Sequence, residues 1–227
     1  MSDDLKRQAA IAALDEIRDG MIVGLGTGST ASHFIQELGL RVRGGLGILG
    51  IPTSEASQRL AKESGITLTT LREHPEIDVT VDGADEVSPD LDLIKGLGGA
   101  LVREKVVAHA SKRVVIVVDE SKLVDKLGRR APIPVEVAPF AADLVSARLF
   151  RWGGDAPVRE KNGRPFVSDN GNYILDWQHG IIDQPGLLEK QIKVLTGVLD
   201  SGIFAGVAEL VMVGAGRAIR KLHRKTY

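Results

Sequence analysis

The chain has 227 residues, and 43% of them are hydrophobic, which suits one large domain or a large and a smaller one around a sizeable core. The formal net charge of -1 gives no bulk electrostatic reason to expect a nucleic acid or a membrane surface as partner. Cysteine is absent, which excludes disulfides, thiolate metal sites and a cysteine nucleophile and fits a cytoplasmic location. We expect neither a signal peptide at Met1–Lys6 nor a transmembrane helix, since no run of about 18 apolar residues occurs.

Strands and helices alternate through the first part of the chain. Apolar runs predict strands at 21–23, 46–51, 66–69, 78–81 and 113–118. Helical periodicity predicts a first helix that begins after Ser2 and is stopped by Gly20, and further helices at 31–38, 54–64 and 100–110. This order predicts an α/β fold with a Rossmann-like parallel sheet that helices cover on both faces.

The pattern changes near Arg130, where Ala131-Pro-Ile-Pro134 interrupts the chain. Extended segments at 135–137, 157–159, 172–176 and 198–204, with helices at 140–151 and 187–195, give the order β-α-β-β-α-β. That order predicts a smaller α+β domain of the split βαβ, ferredoxin-like type. A strand at 208–213 then returns to the first sheet, so we predict a catalytic domain of 1–130 plus 206–227 and a smaller domain of 131–205.

A glycine-rich turn, Gly26-Thr-Gly-Ser-Thr30, joins the first strand to a helix. Glycines allow close backbone approach, and a helix N-terminus presents free N–H groups, which together suit a phosphate. An ordinary tight turn with a capping hydroxyl explains the same residues. Gly26–Ala31 also fits the loose dinucleotide pattern G-x-G-x-x-A, but Pro52-Thr-Ser54 stands where that fingerprint needs an acid.

Two aspartates, Asp82 and Asp85, follow the strand that ends near Val81, with the small residues Gly83 and Ala84 between them. Ligands of open parallel sheets bind beyond the carboxyl ends of strands, where carboxylates can contact sugar hydroxyls or transfer protons. Two aspartates that cap turn N–H groups are the simpler alternative. The spacing does not match a calcium loop, and the five histidines are scattered, so we predict no metal site.

A second glycine-rich turn, Lys95-Gly-Leu-Gly-Gly99, can form a nest of N–H groups for an anion, to which Lys95 adds a full charge. A flexible loop with a solvated lysine is the alternative. The helix that follows carries Glu104, which local sequence alone would place on a solvated charged face.

Together these segments closely resemble the type A ribose-5-phosphate isomerase family along nearly the whole chain. The matching blocks are G-L-G-T-G-S-T at 24–30, D-G-A-D-E at 82–86, K-G-L-G-G-A-L at 95–101, R-E-K at 103–105, D-E-S-K at 119–122, P-V-E-V at 134–137 and D-N-G-N at 169–172. The resemblance implies an aldose-ketose isomerase of the non-oxidative pentose phosphate pathway. It would interconvert ribose 5-phosphate and ribulose 5-phosphate through an enediolate, without a metal or an organic cofactor.

The resemblance also implies roles for individual residues. The catalytic ones would be Glu104, Asp82, Asp85 and Lys95. From the chemistry of the reaction we assign Glu104 as base, Asp82 to ring opening, Asp85 to the orientation of hydroxyls, and Lys95 to stabilisation of the enediolate. The substrate-binding ones would be Thr27, Gly28, Ser29, Thr30, Gly83, Ala84, Gly96, Leu97, Gly98, Lys122 and Lys6. Leu97 stands where many members carry glycine. A homo-oligomer, dimer or tetramer, is also implied, with the smaller domain taking part in it.

The sequence is compatible with two rival functions. A sugar-phosphate sensor domain of a transcription regulator would share the fold but would not need Glu104. It would normally carry a helix-turn-helix module, for which the roughly 20 residues before the first strand are too few. A nicotinamide oxidoreductase is the second rival. It is disfavoured because Pro52-Thr-Ser54 stands where the dinucleotide fingerprint needs an acidic residue.

Overall fold

A computed structural model of the chain describes residues 2–216 and 218–224. The α-helices are α1 Ser2–Ala13, α2 Ser29–Arg43, α3 Glu55–Glu63, α4 Leu101–His109, α5 Ala142–Trp152 and α6 Pro185–Lys193. The strands are β1 Ile22–Leu25, β2 Leu49–Pro52, β3 Val79–Asp82, β4 Glu86–Val87, β5 Leu93–Ile94, β6 Val114–Asp119, β7 Ile133–Val137, β8 Glu160–Lys161, β9 Arg164–Pro165, β10 Tyr173–Trp177, β11 Val198–Ser201, β12 Ile203–Phe204, β13 Leu210–Ala215 and β14 Ala218–His223. Short 3-10 turns occupy Leu14–Glu16, Glu120–Lys122 and Pro139–Ala141. Over these described ranges, no helix has the length and apolar character that crossing a bilayer requires.

The chain divides into two compact units. The larger one comprises 1–84, 103–122 and 207–227, and the smaller one 85–102 and 123–206. Segments 85–102 and 123–130, which the sequence analysis assigned to the catalytic domain, cluster with the smaller unit. Residues 217 and 225–227 of the predicted range 206–227 lie outside the described residues. The predicted domain boundaries stay a prediction.

Strand pairing and hydrogen bonds to a buried carboxylate explain why those two segments belong to the smaller unit. Strand β5 pairs with β4 on one side and with β12 on the other, both antiparallel. The buried carboxylate of Glu86, in β4, accepts hydrogen bonds from the N–H groups of Gly128 at 2.7 Å, Arg130 at 2.6 Å and Ala131 at 2.9 Å. Three such bonds satisfy a buried charge that would otherwise be costly, and they hold segment 123–131 to β4.

The larger unit is built on a six-stranded sheet of order β14-β13-β6-β3-β1-β2. All its strands are parallel except β14, which pairs antiparallel with β13 at the edge. The five parallel strands, counted by their succession along the chain, lie in the order 2-1-3-4-5, one of the two common orders of doubly wound sheets. The predicted α/β, Rossmann-like class is therefore confirmed.

Helices lie on both faces of this sheet. Residues of α1 and α2, such as Ala9 and Phe34, share one core with Val23 and Val81 of the strands. On the opposite face, Val107 of α4 packs with other buried apolar residues of the unit. Because a central parallel strand is covered on both faces, all six residues of β6 are buried, and its first five residues, 114–118, form an unbroken apolar run.

The edge strand β14 was missed by the sequence analysis. Its sequence, Ala-Ile-Arg-Lys-Leu-His, places charged residues between the apolar ones, and four of its six residues are exposed. Charged side chains, lysine above all, protect sheet edges against pairing with other chains. An edge strand therefore lacks the continuous apolar signal from which β6 was predicted.

The smaller unit contains a three-stranded antiparallel sheet of order β10-β7-β11. A fourth extended segment, which the sequence predicted at 157–159, joins this sheet at an isolated bridge between Val158 and Leu175 of β10. The resulting order along the sheet, 4-1-3-2, is that of a split βαβ unit whose second strand is reduced to one bridge. Trp177 is fully buried in the core of this unit, and its indole N–H donates to the Gly153 carbonyl at 2.8 Å.

A carboxylate at the amino end of the large sheet connects two strands. Asp78 accepts a hydrogen bond from the Ile22 N–H at 2.8 Å and one from the Lys112 ammonium at 2.9 Å. The hydrogen bond from the Ile22 N–H, and to a smaller extent that from Lys112, hold the pKa of the Asp78 carboxyl below its ordinary value of 3.8. A lowered pKa in the folded state contributes stability above the ordinary pKa, and this contribution is lost as the pH falls through the folded-state value.

Asp78→Asn should therefore lower the melting temperature at pH 7 by roughly 2–4 °C, the shift that about 1 kcal/mol produces in a protein of this size. The difference from wild type should shrink as the pH falls below 3.8. Thermal denaturation at a series of pH values measures both effects, with the exposed Asp155→Asn as control. A difference in melting temperature that stays constant down to pH 2 would contradict this role of the ionised carboxylate.

Candidate functional site

Most of the predicted residues of the larger unit lie at or just after the carboxyl ends of its parallel strands. The turn at 26–30 follows β1, and Asp82 ends β3, the neighbour of β1 in the sheet. Strand β2 lies on the other side of β1, so the chain order reverses between β1 and β3. Open α/β sheets bind their ligands in the crevice at such a reversal.

The glycine-rich turn takes the conformation that only glycine adopts readily. Gly28 has φ 105° and ψ 173°, and it is the N-cap residue of the fifteen-residue helix α2, which no side chain caps. A Cβ atom on Gly26 would lie 2.3 Å from Asp82 Oδ1, so a side chain there would displace the aspartate. The turn therefore lies directly against Asp82 and leaves the first N–H groups of a helix open to an anion.

Asp82 is 2% exposed, and its Oδ1 atom accepts hydrogen bonds from the N–H groups of Thr27 at 2.9 Å and Gly83 at 2.7 Å. Asp82 therefore does cap turn N–H groups, as the simpler alternative from the sequence predicts. The capping uses Oδ1, and it fixes the carboxylate against the glycine-rich turn. Gly83 and Ala84 are half-buried beside it.

A network of hydroxyl groups supports the turn from the neighbouring strand, and sequence reasoning missed it. The Thr27 hydroxyl lies 2.7 Å from that of Thr53 and donates to that of Ser54 at 2.8 Å. Ser54 caps α3 through a reciprocal pair of bonds with Ser57, and Thr53 donates to the Leu25 carbonyl at 3.0 Å. The signal in the sequence was Pro52-Thr-Ser54, two hydroxyl residues directly after a strand, the same segment that disfavours a dinucleotide site.

The two predicted lysines of this unit are both half-buried. Lys6, on α1, donates to the Ser29 hydroxyl at 3.1 Å, so the structure brings these two predicted residues together. Lys122 is half-buried and ends the 3-10 turn after β6. Asp119 forms that turn by accepting hydrogen bonds from the N–H group of Ser121 at 2.9 Å and from its hydroxyl. Thr30, in the first turn of α2, is 8% exposed.

Glu104 is 4% exposed, so it does not lie on the solvated charged face that its local sequence suggests. It stands in the first turn of α4, three residues before Val107. Val107 lies against Gly24 of β1, and the carbonyl of Ala110, which follows the helix, accepts from the Ile77 N–H just before β3. Because the helix end lies at the amino ends of the strands, Glu104 lies in the direction of their carboxyl ends.

The smaller unit carries a second group of predicted residues. Asp85 donates its N–H to the Ile94 carbonyl at 2.8 Å, and the pairing of Glu86 with Ile94, extended by one residue, places Asp85 opposite Lys95. Lys95 is 3% exposed, and its ammonium lies 5.5 Å from the centre of the Phe204 ring. A lysine so deeply buried is not the solvated residue of a flexible loop.

The turn after Lys95 is tied to Asp85. The Leu97 N–H donates to Asp85 Oδ2 at 3.0 Å. Gly96 has φ 100°, whereas Leu97 does not, since in the described part of the chain the residues other than glycine with positive φ are Leu91 and Asn162. A leucine therefore fits at position 97 without backbone strain, with its side chain 43% exposed. Gly98 is exposed as well.

No group of three or more histidine, aspartate or glutamate side chains is arranged to hold a metal ion, over the residues that the structure describes. The chemical groups of the two units are a helix N-terminus, hydroxyls, lysines and buried carboxylates. Groups of these kinds are typical of the class of proteins that bind a small anionic, hydroxylated ligand and transfer protons to and from it.

Comparison with known proteins identifies the family. The sequence profile of ribose 5-phosphate isomerase A (phosphoriboisomerase A) matches residues 49–217. The ribose-5-phosphate isomerase A of Methanothermobacter thermautotrophicus is 50% identical over 222 residues, which are 96% of this chain and 97% of that protein. The one from Gloeobacter violaceus is 50% identical over 212 residues, 93% of this chain and 92% of that protein.

Comparison with solved structures points to the same family. A D-ribose-5-phosphate isomerase in complex with phospho-erythronic acid superposes with a TM-score of 0.96 at 40% identity, covering 99% of this chain and 100% of that one. The ribose 5-phosphate isomerase A of Methanocaldococcus jannaschii gives 0.93 at 44% identity, covering 97% and 98%. The chain belongs to the ribose 5-phosphate isomerase A family, which confirms the resemblance seen in the sequence.

Proposed function

We propose that this chain interconverts D-ribose 5-phosphate and D-ribulose 5-phosphate through an enediolate. Membership of a family whose named members are ribose-5-phosphate isomerases supports this, since the relatives match over nearly the whole chain. The observation that carries the proposal is the uncapped N-terminus of α2 beside the buried Asp82, at the reversal of strand order. An anion site next to a fixed carboxylate suits a phosphorylated sugar.

The phosphate is bound by the turn at 26–30 in this proposal. The free N–H groups of Ser29 and Thr30 and the Ser29 hydroxyl are its donors, and the α2 dipole favours a negative group there. Lys6, which already contacts Ser29, adds a positive charge. The Thr27 hydroxyl donates to Ser54, so Thr27 acts by shaping the turn. Lys122 supplies a further positive charge to the substrate.

Ser29→Ala and Lys122→Ala should raise KM more than they lower kcat. Each loses a hydrogen bond to the substrate away from the reacting carbons, and a bond to a charged group is worth roughly 1.5–3 kcal/mol. Steady-state kinetics against the exposed Lys62→Ala as control measures both constants. A constant KM with a collapsed kcat would show that these residues act on the chemical step.

Glu104 is the base of the reaction. It takes the proton from C2 of the open-chain aldose and returns it to C1, while a hydroxyl proton passes from O2 to O1, so the atoms balance without an external oxidant. Lys95 and the N–H groups of the turn after it stabilise the enediolate oxygen. Asp82 assists the opening of the sugar ring, and Asp85 orients hydroxyl groups.

The ligand in a related structure is consistent with this route. That isomerase was solved with phospho-erythronic acid, a phosphorylated four-carbon sugar acid. Its planar, anionic carboxylate can stand in for the planar enediolate, and its phosphate for that of the substrate. Enzymes bind such mimics of a high-energy state more tightly than their substrates.

A coupled assay of ribulose 5-phosphate formation from ribose 5-phosphate tests the proposal. We expect turnover by the purified protein in the presence of excess EDTA, because we propose protein groups alone as catalysts. Loss of activity with EDTA that a divalent ion restores would contradict metal independence. A well-folded protein without turnover would instead favour the sugar-phosphate sensor, which the family match does not favour. An absolute requirement for NAD would favour the rival hypothesis of a nicotinamide oxidoreductase.

A homo-oligomer in the cytoplasm, without nucleic acid as partner, is also part of the proposal. The smaller unit exposes large apolar side chains in and before α5, with Phe140 fully exposed, Leu144 at 52% and Phe150 at 60%. Contiguous exposed apolar patches mark interaction surfaces, and these side chains form part of the interface in this proposal. Phe140→Asp should lower the sedimentation coefficient relative to wild type and to the control Lys62→Ala, at an exposed position of α3 in the larger unit. A wild-type protein that sediments as a monomer would contradict the proposal.

A further inference from the structure

The segment of the smaller unit that pairs with β10 presents an arginine that the reaction scheme above does not use. The Arg159 N–H donates to the Ile174 carbonyl at 2.7 Å, and the Arg159 carbonyl accepts from the Phe166 N–H at 2.8 Å. The backbone of Arg159 is thus held on both sides. Its side chain is only 12% exposed.

The guanidinium of Arg159 connects β10 to the turn at 95–99. Its Nη1 atom donates to two successive carbonyls, those of Gly96 at 2.9 Å and Leu97 at 3.0 Å. Its Nε and Nη2 atoms donate to the two carboxylate oxygens of Asp176, at 2.9 and 2.5 Å. The bidentate pair with Asp176 fixes the plane of the guanidinium, and this plane then fixes the two carbonyls.

Holding two carbonyls also sets the direction of two N–H groups. In a trans peptide the C=O of one residue and the N–H of the next point in opposite directions, and no cis peptide occurs in the described residues. The N–H groups of Leu97 and Gly98 therefore point away from Arg159. The first donates to Asp85 Oδ2, and the second donates to no acceptor among the residues that the structure describes.

The turn at 95–99 needs the restraint that Arg159 provides because it is rich in glycine. Gly96, Gly98 and Gly99 lose more conformational entropy on ordering than other residues would. The Phe166 ring adds to the restraint, since its Cζ lies 2.5 Å from where a Cβ of Gly99 would be, and its centre lies 5.8 Å from the Arg159 guanidinium. Arg159 and Phe166 thus both restrain the turn, and Arg159 does so from the side opposite the Asp85 contact.

We propose that Arg159 is a positioning residue of the isomerisation, an inference that rests on the proposed function. It orients the Leu97–Gly98 peptide so that the Gly98 N–H donates to the oxygen that becomes negative in the enediolate. Preorganised N–H donors stabilise such an oxygen because they need no reorientation when the charge develops. Arg159 itself touches no reacting atom.

Arg159→Lys tests the proposal. Lysine keeps the charge, but a single ammonium cannot bind Asp176 through two bonds and both carbonyls at once. We expect kcat to fall roughly 10- to 100-fold with KM nearly unchanged, because the lost interaction forms only in the transition state. Arg164→Lys, at an exposed position in β9, should leave both constants at the wild-type values.

A second variant separates positioning from folding. In Arg159→Ala, added guanidinium ion should restore part of kcat, whereas ammonium ion at the same concentration should not. Asp176→Asn should lower kcat in the same direction, and its effect should be non-additive with Arg159→Lys, since both act on one guanidinium. Circular dichroism and melting temperature monitor the fold of each variant.

The outcomes are distinguishable from failure of the proposed function. If the wild-type protein does not form ribulose 5-phosphate, the proposed function fails. If the wild type is active and Arg159→Lys keeps its kcat, the inference is overturned. A lower melting temperature with an unchanged kcat would likewise overturn it and leave Arg159 as a structural residue.

Discussion

Glu104→Gln is expected to fold, to bind substrate and to lose nearly all isomerisation. Gln resembles Glu in size and in helix propensity, so α4 should persist. It lacks a basic carboxylate, so it cannot take the C2 proton. General base catalysis is commonly worth 10²–10⁴-fold, and a larger loss is expected where one group is the only base. Coupled turnover assays measure the loss, and isothermal titration with substrate measures binding.

The same variant predicts an isotope result. Exchange of the substrate's C1 or C2 hydrogen with solvent should fall in parallel with turnover, because one group carries the proton in both. NMR of the sugar in deuterated water, at equal concentrations of wild type and variant, measures this exchange. The exposed Glu63→Gln at the end of α3 serves as a matched control. Exchange near the wild-type rate in Glu104→Gln would assign the base to Asp82 or Asp85 instead.

Asp82→Asn is expected to harm the conversion of ribose 5-phosphate more than proton exchange from ribulose 5-phosphate. The aldose is mainly a ring and needs acid–base help to open, whereas the ketose cannot close to the same ring. Proton transfer of this kind is worth roughly 10²–10⁴-fold. Asparagine keeps an oxygen that can accept from the N–H groups of Thr27 and Gly83, so the turn should survive.

Asp82→Ala is the comparison variant that shows what the hydrogen bonds of Asp82 contribute to the glycine-rich turn. It removes both hydrogen bonds and should disturb the glycine-rich turn, so it should raise KM as well as lower kcat. Turnover from ribose 5-phosphate and solvent exchange into ribulose 5-phosphate are the two measurements for each variant. If Asp82→Asn reduces both by the same factor, Asp82 has no specific part in ring opening.

Much of the fold could be predicted because its signals are local. The unbroken apolar run of β6 and the periodicity of the helices reveal a parallel sheet covered on both faces. Segment 66–69, predicted as a strand, joins β2 only through an isolated bridge of Leu68 with Gly50. Strands β4 and β5, two residues each, were too short to recognise. Their pairing depends on β12, more than a hundred positions away, which no local pattern reveals.

The two glycine-rich turns and the aspartates could be predicted because their residue types limit what a backbone can do. Glycine at 28 and 96 permits positive φ, and the aspartates follow a strand end. The burial of Glu104 could not be predicted, since Arg-Glu-Lys is also the composition of a solvated helix face. Only the packing of Val107 against the sheet decides which side of α4 faces inward.

By itself, the sequence determined the α/β class, the position of the glycine-rich turn at 26–30 and, through the combination of its motifs, the family. These properties depend on backbone conformation and on short-range order, which neighbouring residues set. The tertiary structure alone decided that Thr53 and Ser54 support Thr27, that Glu86 holds segment 123–131 and that Arg159 holds the second turn. Each of these contacts joins residues more than 25 positions apart, and their formation depends on how the sheets bring distant segments of chain together.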